Sequence, residues 1–167
     1  MKRILVTGNA GSGKSTLARK IADRLCLPCH SLDGIVWQAK WKKTPQAERE
    51  ERIQSLVTKD AWVIDGVSSH VQSVADVVIF LDVPRRISFW RVTKRNWKFL
   101  FRSRPELPPE CPEVLIIPTL IKIIWHFPKT IRIRILDQAL QGNDSQRFFH
   151  VRDRHDLEEL FDVLKAE

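Results

Sequence analysis

The sequence predicts an α/β fold in which a mainly parallel sheet is flanked by helices. Short strand-like runs alternate with helical patterns along the 167 residues, and such alternation is typical of parallel sheets. The run at 75–82 is apolar at most positions, as expected of a strand buried on both faces. A glycine-rich run separates the first predicted strand from the first predicted helix. A chain of this length is expected to form one domain.

Each element is predicted from a local pattern. Leu17, Ile21 and Leu25 recur at helical spacing after the glycine-rich run. Prolines between residues 102 and 130 predict loop or broken helix there. The predicted strands are 3–7, 30–33, 61–66, 75–82 and 148–152. The predicted helices are 15–25, 45–58, 85–101, 129–140 and 156–165.

The glycine-rich run at residues 8–15 is the strongest functional signal. It reads GNAGSGKS and satisfies G-x-x-x-x-G-K-[ST], which binds nucleotide phosphates when a strand precedes it and a helix follows. The glycines let backbone N–H groups point at phosphate oxygens, Lys14 reaches the β/γ-phosphates, and the Ser15 hydroxyl ligates Mg²⁺. We therefore expect ATP and Mg²⁺ as ligands. The expected nucleotide-binding residues are Gly8, Asn9, Ala10, Gly11, Ser12, Gly13, Lys14, Ser15 and Thr16.

The positive charge of the chain is concentrated in one segment. The chain has 28 Lys and Arg against 20 Asp and Glu, a net charge of +8. Residues 83–136 hold twelve basic and three acidic residues, so this segment has a net charge of +9 and the remainder −1. An anionic partner is expected at this segment, whether polyphosphate, nucleic acid or an acidic membrane.

The three cysteines predict neither a disulfide framework nor a metal site. Cys26, Cys29 and His30 have the C-x-x-C-H spacing of a haem attachment site, and the two cysteines could also begin a zinc site. A zinc site lacks its second ligand pair. With Cys111 the count is odd, and neither a secretory signal nor a membrane-spanning run is evident. The expected location is a reducing cytoplasm.

Taken together, these patterns resemble a known family. The markers are the run at 8–15, Leu32-Asp33 with Trp37 and Trp41, the stretches 62–66 and 81–84, Arg91 and Arg95, and Arg152 with the last helix. The chain resembles small P-loop kinases of the adenylate kinase and shikimate kinase group, and more closely the bacterial proteins labelled DNA topology modulation proteins. The resemblance implies a three-layer P-loop NTPase fold with a five-stranded parallel sheet. It also implies one domain, 1–167, with a substrate-binding insert at about 33–60 and a basic, lid-like insert at about 96–130.

The same resemblance implies roles for particular side chains. Asp65 would hold Mg²⁺ together with Ser15. Arg91 would contact the nucleotide and Arg95 the transferring phosphate, with Arg132 and Arg134 adding contacts from the lid. Asp33 would orient an acceptor hydroxyl and accept its proton. The implied catalytic residues are Lys14, Asp33, Arg91 and Arg95.

Some alternatives stay open at the level of sequence. Asp33 could cap the following segment or contact Mg²⁺ indirectly, and each arginine could belong to a solvated face. Adenylate kinases hold their monophosphate substrate with arginines, but no arginine stands at 66–70 and nothing basic follows Asp33 before Lys40. A small hydroxylated or nucleotide-like molecule is therefore the expected acceptor, and a nucleoside monophosphate is not favoured.

Two other functions compete with a kinase. The basic segment 83–136 carries aromatic residues suited to base stacking, so an ATP-binding protein that binds DNA or RNA and modulates DNA topology is the alternative. Against it, Ile87, Trp90, Trp97 and Phe101 share one helical face, which predicts packing on a core. The apolar segment 114–127 could lie on a membrane surface, but its prolines oppose a continuous interfacial helix, and a buried lid helix is favoured there instead. The histidines at 70, 126, 150 and 155 are expected to be structural, and the sequence indicates neither a monomer nor a dimer.

Overall fold

A five-stranded parallel sheet forms the centre of the molecule. In the computed structural model the described residues are 2–99, 115–141 and 146–164, without the side chains of 95–99. The strands are β1 (Arg3–Gly8), β2 (Cys29–Ser31), β3 (Trp37–Gln38), β4 (Lys42–Lys43), β5 (Trp62–Asp65), β6 (Val77–Leu81) and β7 (Arg147–Val151). The main sheet has the order β2-β5-β1-β6-β7 with every pair parallel, and β3 and β4 form a separate antiparallel pair. The expected sheet is thus confirmed.

The helices connect the strands and cover the sheet. They are α1 (Lys14–Leu25), α2 (Asp33–Val36), α3 (Gln46–Val57), α4 (Ser69–Val74), α5 (Arg85–Phe99), α6 (Ile117–His126), α7 (Ile131–Leu140) and α8 (Arg154–Val163). Short 3-10 turns at Ala39–Trp41 and Phe127–Lys129 complete the described elements. Among the described residues no helix is both long and apolar enough to cross a membrane.

Successive side chains of the strands point to opposite faces of the sheet and form a hydrophobic core on each face. In β1, Ile4 and Val6 pack against α1 and α8, whereas Leu5 packs on the opposite face with Trp62 and Val71. This period of two places successive side chains on opposite faces. All the residues of β5 and β6 are buried, because helices cover both sides. The result is a three-layer arrangement.

Several elements differ from those expected. Helix α4 was not predicted, and the stretch 34–45, for which no helix or strand was predicted, contains part of α2 and the β3–β4 pair. Helix α6 occupies part of the segment expected to be loop or broken helix. Pro118 stands in the first turn of α6, where a proline removes no helical hydrogen bond, so the helix forms despite it.

The burial of α5 also corrects the sequence analysis. Trp90 is 63% exposed and Ile87 is 42% exposed, so the face expected to pack on the core is turned outward there. Ser88 and Val92 are buried instead. The side chain of Trp97, which shared the predicted face, lies outside the described part of the chain, as does Phe101.

Candidate nucleotide-binding and catalytic site

The glycine-rich loop after β1 is shaped by contacts on several sides. Gly11 has a φ of +76°, and a Cβ atom there would lie 2.6 Å from the Ser88 carbonyl oxygen of α5 and 2.7 Å from a methyl group of Val92. Only glycine combines this φ with such a close approach of another backbone. The loop is therefore packed against α5, which explains why Ser88 and Val92 are the buried residues of that helix.

Lys14 and Ser15 begin α1 beside the loop. The Lys14 ammonium group donates a hydrogen bond to the Asn9 carbonyl oxygen at 2.8 Å, which places the cation next to the loop backbone. Ser15 Oγ donates to Asp65 Oδ2 at 2.6 Å. Asp65 ends β5, and β5 lies next to β1 in the sheet. The sheet order thus brings together two residues that the sequence separates by 50 positions.

The Asp65 carboxylate lies in a buried environment and is only 4% exposed. Burial raises the pKa of Asp65 above its ordinary value, while hydrogen bonds from Ser15 and Ser31 and the charge of Lys14 act in the opposite direction. A hydroxyl and a carboxylate are both oxygen ligands of the kind that Mg²⁺ prefers. The Ser15–Asp65 pair therefore fits a magnesium site next to the phosphate loop.

Arg91 approaches the loop from α5. Its Nη1 atom donates to the Ser12 carbonyl oxygen at 3.1 Å, and the same atom is 3.8 Å from the position of a Cβ on Gly13. The guanidinium group therefore lies at the edge of the loop. Arg95 follows four residues later on α5, and its side chain lies outside the described part.

Asn9 connects the loop to α6. The Asn9 side chain is buried, donates from Nδ2 to the Ile124 carbonyl oxygen at 3.2 Å, and accepts a hydrogen bond from the Ala10 amide at 2.8 Å. In a continuing helix the Ile124 carbonyl would accept from the amide of residue 128, but that residue is proline and has no N–H. The Asn9 side chain thus supplies the hydrogen-bond donor that the backbone lacks at Pro128.

Asp33 begins α2 on the other side of the site. The preceding residue, Leu32, occupies the cap position of α2 and donates its amide to the Asp65 carbonyl oxygen at 2.9 Å. Gly66 has a φ of +148°, and a Cβ there would lie 2.6 Å from Leu32 Cβ. Glycine at 66 therefore allows Leu32 to sit against the end of β5, and this fixes the start of α2. The Asp33 side chain is exposed.

One cavity of about 630 Å³ joins these elements. Lys14, Ser15 and Arg91 line it on the loop side, and Asp33 lines it on the α2 side. Its remaining lining residues are Gly8, Ala10, Gly11, Gly13, Thr16, Arg19, Ser31, Leu32, Val36, Trp37, Trp41, Gly66, Val67, Ile116, Leu120, Ile123, Phe127 and Ile131. The structure thus places three of the four expected catalytic residues on one cavity, and most of the expected phosphate loop lines it as well.

A second cavity of about 390 Å³ lies at the ends of β6 and β7. On its edge, Arg132 Nε donates to Asp82 Oδ2 at 2.9 Å, and His150 Nε2 forms a hydrogen bond with the same oxygen at 2.8 Å. The His150 ring also stacks on Phe80 with 5.3 Å between centroids. Arg132 is thus paired with Asp82 just after β6, and Asn9 of the glycine-rich run lines the same cavity. Arg134 lines a separate shallow depression on α7.

The other candidate ligands are dispersed. Cys26 and Cys29 are free and exposed, and His70 forms a hydrogen bond with Gln54 at 2.8 Å. Across residues 2–99, 115–141 and 146–164, the structure contains no cluster of three or more His, Cys, Asp or Glu residues suited to a metal ion. Cys111 lies outside the described residues.

Three solved structures that share this architecture are described as kinases. A shikimate kinase from Acinetobacter baumannii, determined with shikimate, superimposes with a TM-score of 0.58 at 16% identity, covering 100% of this chain and 95% of that one. A shikimate kinase from Bacteroides thetaiotaomicron gives 0.55 at 17% identity, covering 98% of each chain. A sugar kinase from a Janibacter species gives 0.54 at 15% identity, covering 99% and 95%. The chain has a P-loop NTPase fold. At these identities the likeness concerns the fold alone.

Sequence comparison reaches only part of the chain. A family model described as the viral superfamily 1 RNA helicase core domain matches residues 4–72, which is less than half of the 167 residues. The matched stretch contains β1, the glycine-rich loop, α1 and Asp65. No curated protein matches the chain.

Sequence reasoning favoured a buried lid helix in the region of α6 but did not identify the contact between α6 and the glycine-rich loop. Leu120 and Ile123 of this helix line the cavity, and Ile124 receives the hydrogen bond from Asn9. A signal was present, because Pro128 leaves the Ile124 carbonyl without its helical donor and so requires one from elsewhere. Which side chain would supply that donor depends on the fold, because Asn9 is 115 residues away in sequence.

Proposed function

We propose that the chain is an ATP-dependent, Mg²⁺-requiring kinase that phosphorylates a small hydroxylated molecule. The observation that carries this proposal is the single cavity that holds Lys14 and Ser15 on one side and the exposed Asp33 carboxylate on the other. A phosphate loop facing a carboxylate across a cavity of this size is what transfer of a phosphoryl group to a hydroxyl requires.

The loop side would bind the triphosphate. The backbone amides of the glycine-rich loop and the N-terminus of α1 provide donors and a positive dipole for phosphate oxygens. Lys14 and Arg91 would add positive charge against the group that is transferred, and Arg95 would contribute from the next turn of α5. Ser15 and Asp65 would hold Mg²⁺, which supplies further positive charge at the phosphates.

Asp33 would act on the acceptor. A carboxylate that accepts a hydrogen bond from the attacking hydroxyl holds its oxygen in line and takes its proton as the new bond forms. The apolar side chains of α6, including Leu120 and Ile123, line the same cavity and would exclude water, which limits hydrolysis of ATP. Catalysis would then rest on positioning and charge.

The direct test is release of ADP from Mg·ATP with a panel of nucleosides, nucleoside monophosphates and hydroxylated metabolites. Lys14→Ala and Asp33→Asn should each abolish the stimulated rate. Lys20→Ala and Asp60→Asn are matched controls, because both side chains are exposed and neither lines the cavity. Unchanged ADP release in Lys14→Ala with every acceptor would refute the proposal.

The exposed aromatic residues of α5 and α6 support a second candidate. Trp90 is 63% exposed with the Lys94 ammonium 5.1 Å from its ring centroid, and Trp125 is 55% exposed with the Arg85 guanidinium at 4.8 Å. Exposed rings beside cations suit base stacking and phosphate contacts. On this reading the protein binds ATP and also DNA or RNA through the basic 83–136 segment, and so modulates DNA topology.

Titration of a fluorescent single-stranded oligonucleotide at several salt concentrations tests this candidate. Binding should weaken steeply with salt, and Trp90→Ala and Trp125→Ala should each weaken it at fixed salt. Trp41→Ala is the matched control, because Trp41 lines the cavity and forms an edge-to-face pair with Trp37. Absence of binding at low salt would exclude this function.

A further inference from the structure

The Asp65 carboxylate is held by a second hydroxyl group besides that of Ser15. Ser31 is the last residue of β2, and the parallel pairing of β2 with β5 sets it level with Asp65, the last residue of β5. Residues that are level in neighbouring strands direct their side chains to the same face of the sheet. The Ser31 side chain forms a hydrogen bond with the Asp65 carboxylate, in which the hydroxyl donates. The carboxylate therefore lies between donors from two elements, the start of α1 and the end of β2.

The backbone next to Ser31 is attached to the same residue of β5. The Leu32 amide donates to the Asp65 carbonyl oxygen at 2.9 Å, so the end of β2 contacts Asp65 through a side chain and through the backbone. Ser31 is half-buried and lines the main cavity together with Lys14 and Ser15. A hydroxyl that lies outside the glycine-rich run thus connects the cavity with the buried carboxylate.

A second donor restrains a carboxylate in a way that one donor does not. The bond that joins the carboxylate of an aspartate to its Cβ turns easily, so a single hydrogen bond fixes one oxygen and leaves the plane of the group free to turn. Ser15, the first donor, is itself an expected ligand of Mg²⁺. Side chains that hold the ligands of a metal from behind fix their orientation, and loss of such a side chain commonly weakens metal binding by about 10–100-fold.

We infer that Ser31 is a positioning residue for Mg²⁺, because its hydroxyl holds the Asp65 carboxylate in one orientation beside Ser15. This inference deepens the proposed function and rests on it for Mg·ATP as the ligand. It gives the end of β2 a role in metal binding, next to Asp33, which would act on the acceptor. Removal of the Ser31 hydroxyl should weaken the effect of Mg²⁺ on nucleotide binding and leave binding of the metal-free nucleotide unchanged.

The coupling between Mg²⁺ and nucleotide measures this role without turnover. A fluorescent non-hydrolysable ATP analogue is titrated into the full-length chain in EDTA and again in saturating Mg²⁺, and the ratio of the two Kd values gives the coupling. Ser31→Thr keeps a hydroxyl group, and Ser31→Val has nearly the shape of threonine without it. The ratio should stay near that of the unsubstituted chain in Ser31→Thr. It should fall about fivefold in Ser31→Val, the factor that corresponds to one hydrogen bond of ordinary strength.

A merely structural role of Ser31 would give a different result. Weaker packing of β2 would lower Tm or weaken binding of the analogue equally in EDTA and in Mg²⁺, and the ratio would not change. Ser73→Ala is the matched control for loss of a serine hydroxyl, because Ser73 is exposed on α4, donates to the His70 carbonyl oxygen and does not line the cavity. Its ratio should be unchanged. Thermal unfolding of each variant shows that it is folded.

A double-mutant cycle tests whether Ser31 acts through Asp65. In the Asp65→Ala chain the carboxylate is gone, so Ser31→Val should lower the Kd ratio less than it does in the unsubstituted chain. The same loss in both chains would show that Ser31 contacts the metal or the nucleotide itself, and this would overturn the inference.

The outcomes separate this inference from the proposed function. A ratio in Ser31→Val within about twofold of the unsubstituted chain would overturn the positioning role, and so would an equal fall in Ser31→Thr. An affinity of the unsubstituted chain that does not depend on Mg²⁺ would overturn it as well. The expected ratios without ADP release in the presence of any acceptor would overturn the kinase activity and leave the role of Ser31 in place. ADP release stimulated by an acceptor, with an unchanged ratio in Ser31→Val, would do the reverse.

Discussion

Asn9→Ala tests whether the phosphate loop supports α6. The side-chain Nδ2 of Asn9 donates a hydrogen bond to the Ile124 carbonyl oxygen at 3.2 Å, and Pro128 has no backbone N–H that could donate to the same oxygen. Alanine removes that donor and leaves the carbonyl unpaired. Ile124 is 0% exposed and Asn9 is 2% exposed, so water has little access to either group. The substitution therefore leaves the buried Ile124 carbonyl oxygen without a hydrogen-bond donor.

The expected loss of stability follows from these contacts. Leaving a buried polar group unpaired costs about 1–3 kcal/mol, and we take about 2 kcal/mol for Asn9→Ala. In a chain of this size each 1 kcal/mol lowers Tm by about 2–4 °C, so Tm should fall by about 4–8 °C. Asn9→Asp should be at least as damaging, because it turns a carboxylate oxygen toward the Ile124 carbonyl.

Thermal and urea unfolding of both variants measure the effect. Pro128→Ala restores a backbone N–H four residues after Ile124, so the cost of Asn9→Ala should be smaller in the Pro128→Ala background. A double-mutant cycle gives this coupling free energy. If Asn9→Ala changes the free energy of unfolding by less than about 0.5 kcal/mol, the loop does not support α6 in the way described.

Two further predictions concern stability elsewhere. Gly66→Ala should destabilise the fold by about 2 kcal/mol or more, because its Cβ would lie 2.6 Å from Leu32 Cβ; urea unfolding measures this, and an effect near zero would contradict the contact. Burial tends to raise the pKa of Asp76, but hydrogen bonds from Arg3 and the Lys2 amide outweigh it and hold the pKa below its ordinary value. The half-exposed Arg3–Asp76 ion pair should therefore stabilise the fold by about 1 kcal/mol above roughly pH 4, and this stabilisation should be lost as the pH falls. Asp76→Asn should match that loss at pH 7, and a cost that did not shrink on acidification would contradict this origin.

The strands of the main sheet, α1 and the phosphate loop could be predicted because their signals are local. The spacing of Leu17 and Ile21 fixes the buried face of α1, and both are buried. The motif at 8–15 specifies a strand before it and a helix after it, and β1 and α1 occupy those places. The resemblance to P-loop kinases implied that Asp65 lies near Ser15, and the two side chains are hydrogen-bonded at 2.6 Å.

The remaining features depend on contacts that a single pattern does not encode. Trp90 and Ile87 share a helical face with other apolar residues. However, α5 packs against Gly11 with the side that carries Ser88 and Val92, so the face with Trp90 and Ile87 is exposed. Periodicity identifies a face without deciding which neighbour covers it. Helix α4 was missed because it has only six residues, although Ser68, whose hydroxyl accepts from the Val71 amide at 3.3 Å, is a typical cap.

The order of the strands also governs when the phosphate loop can form during synthesis. Strand β1 lies between β5 and β6, with Leu5 level with Ile64 on one side and Val78 on the other. Both neighbours follow more than 55 residues later in the chain, so a nascent chain that stops before β6 has β1 with one partner at most. Contacts that close such long loops form late and slowly. A bound nucleotide would therefore stabilise only a chain that has been made at least through β6, and it would not rescue products truncated before that strand.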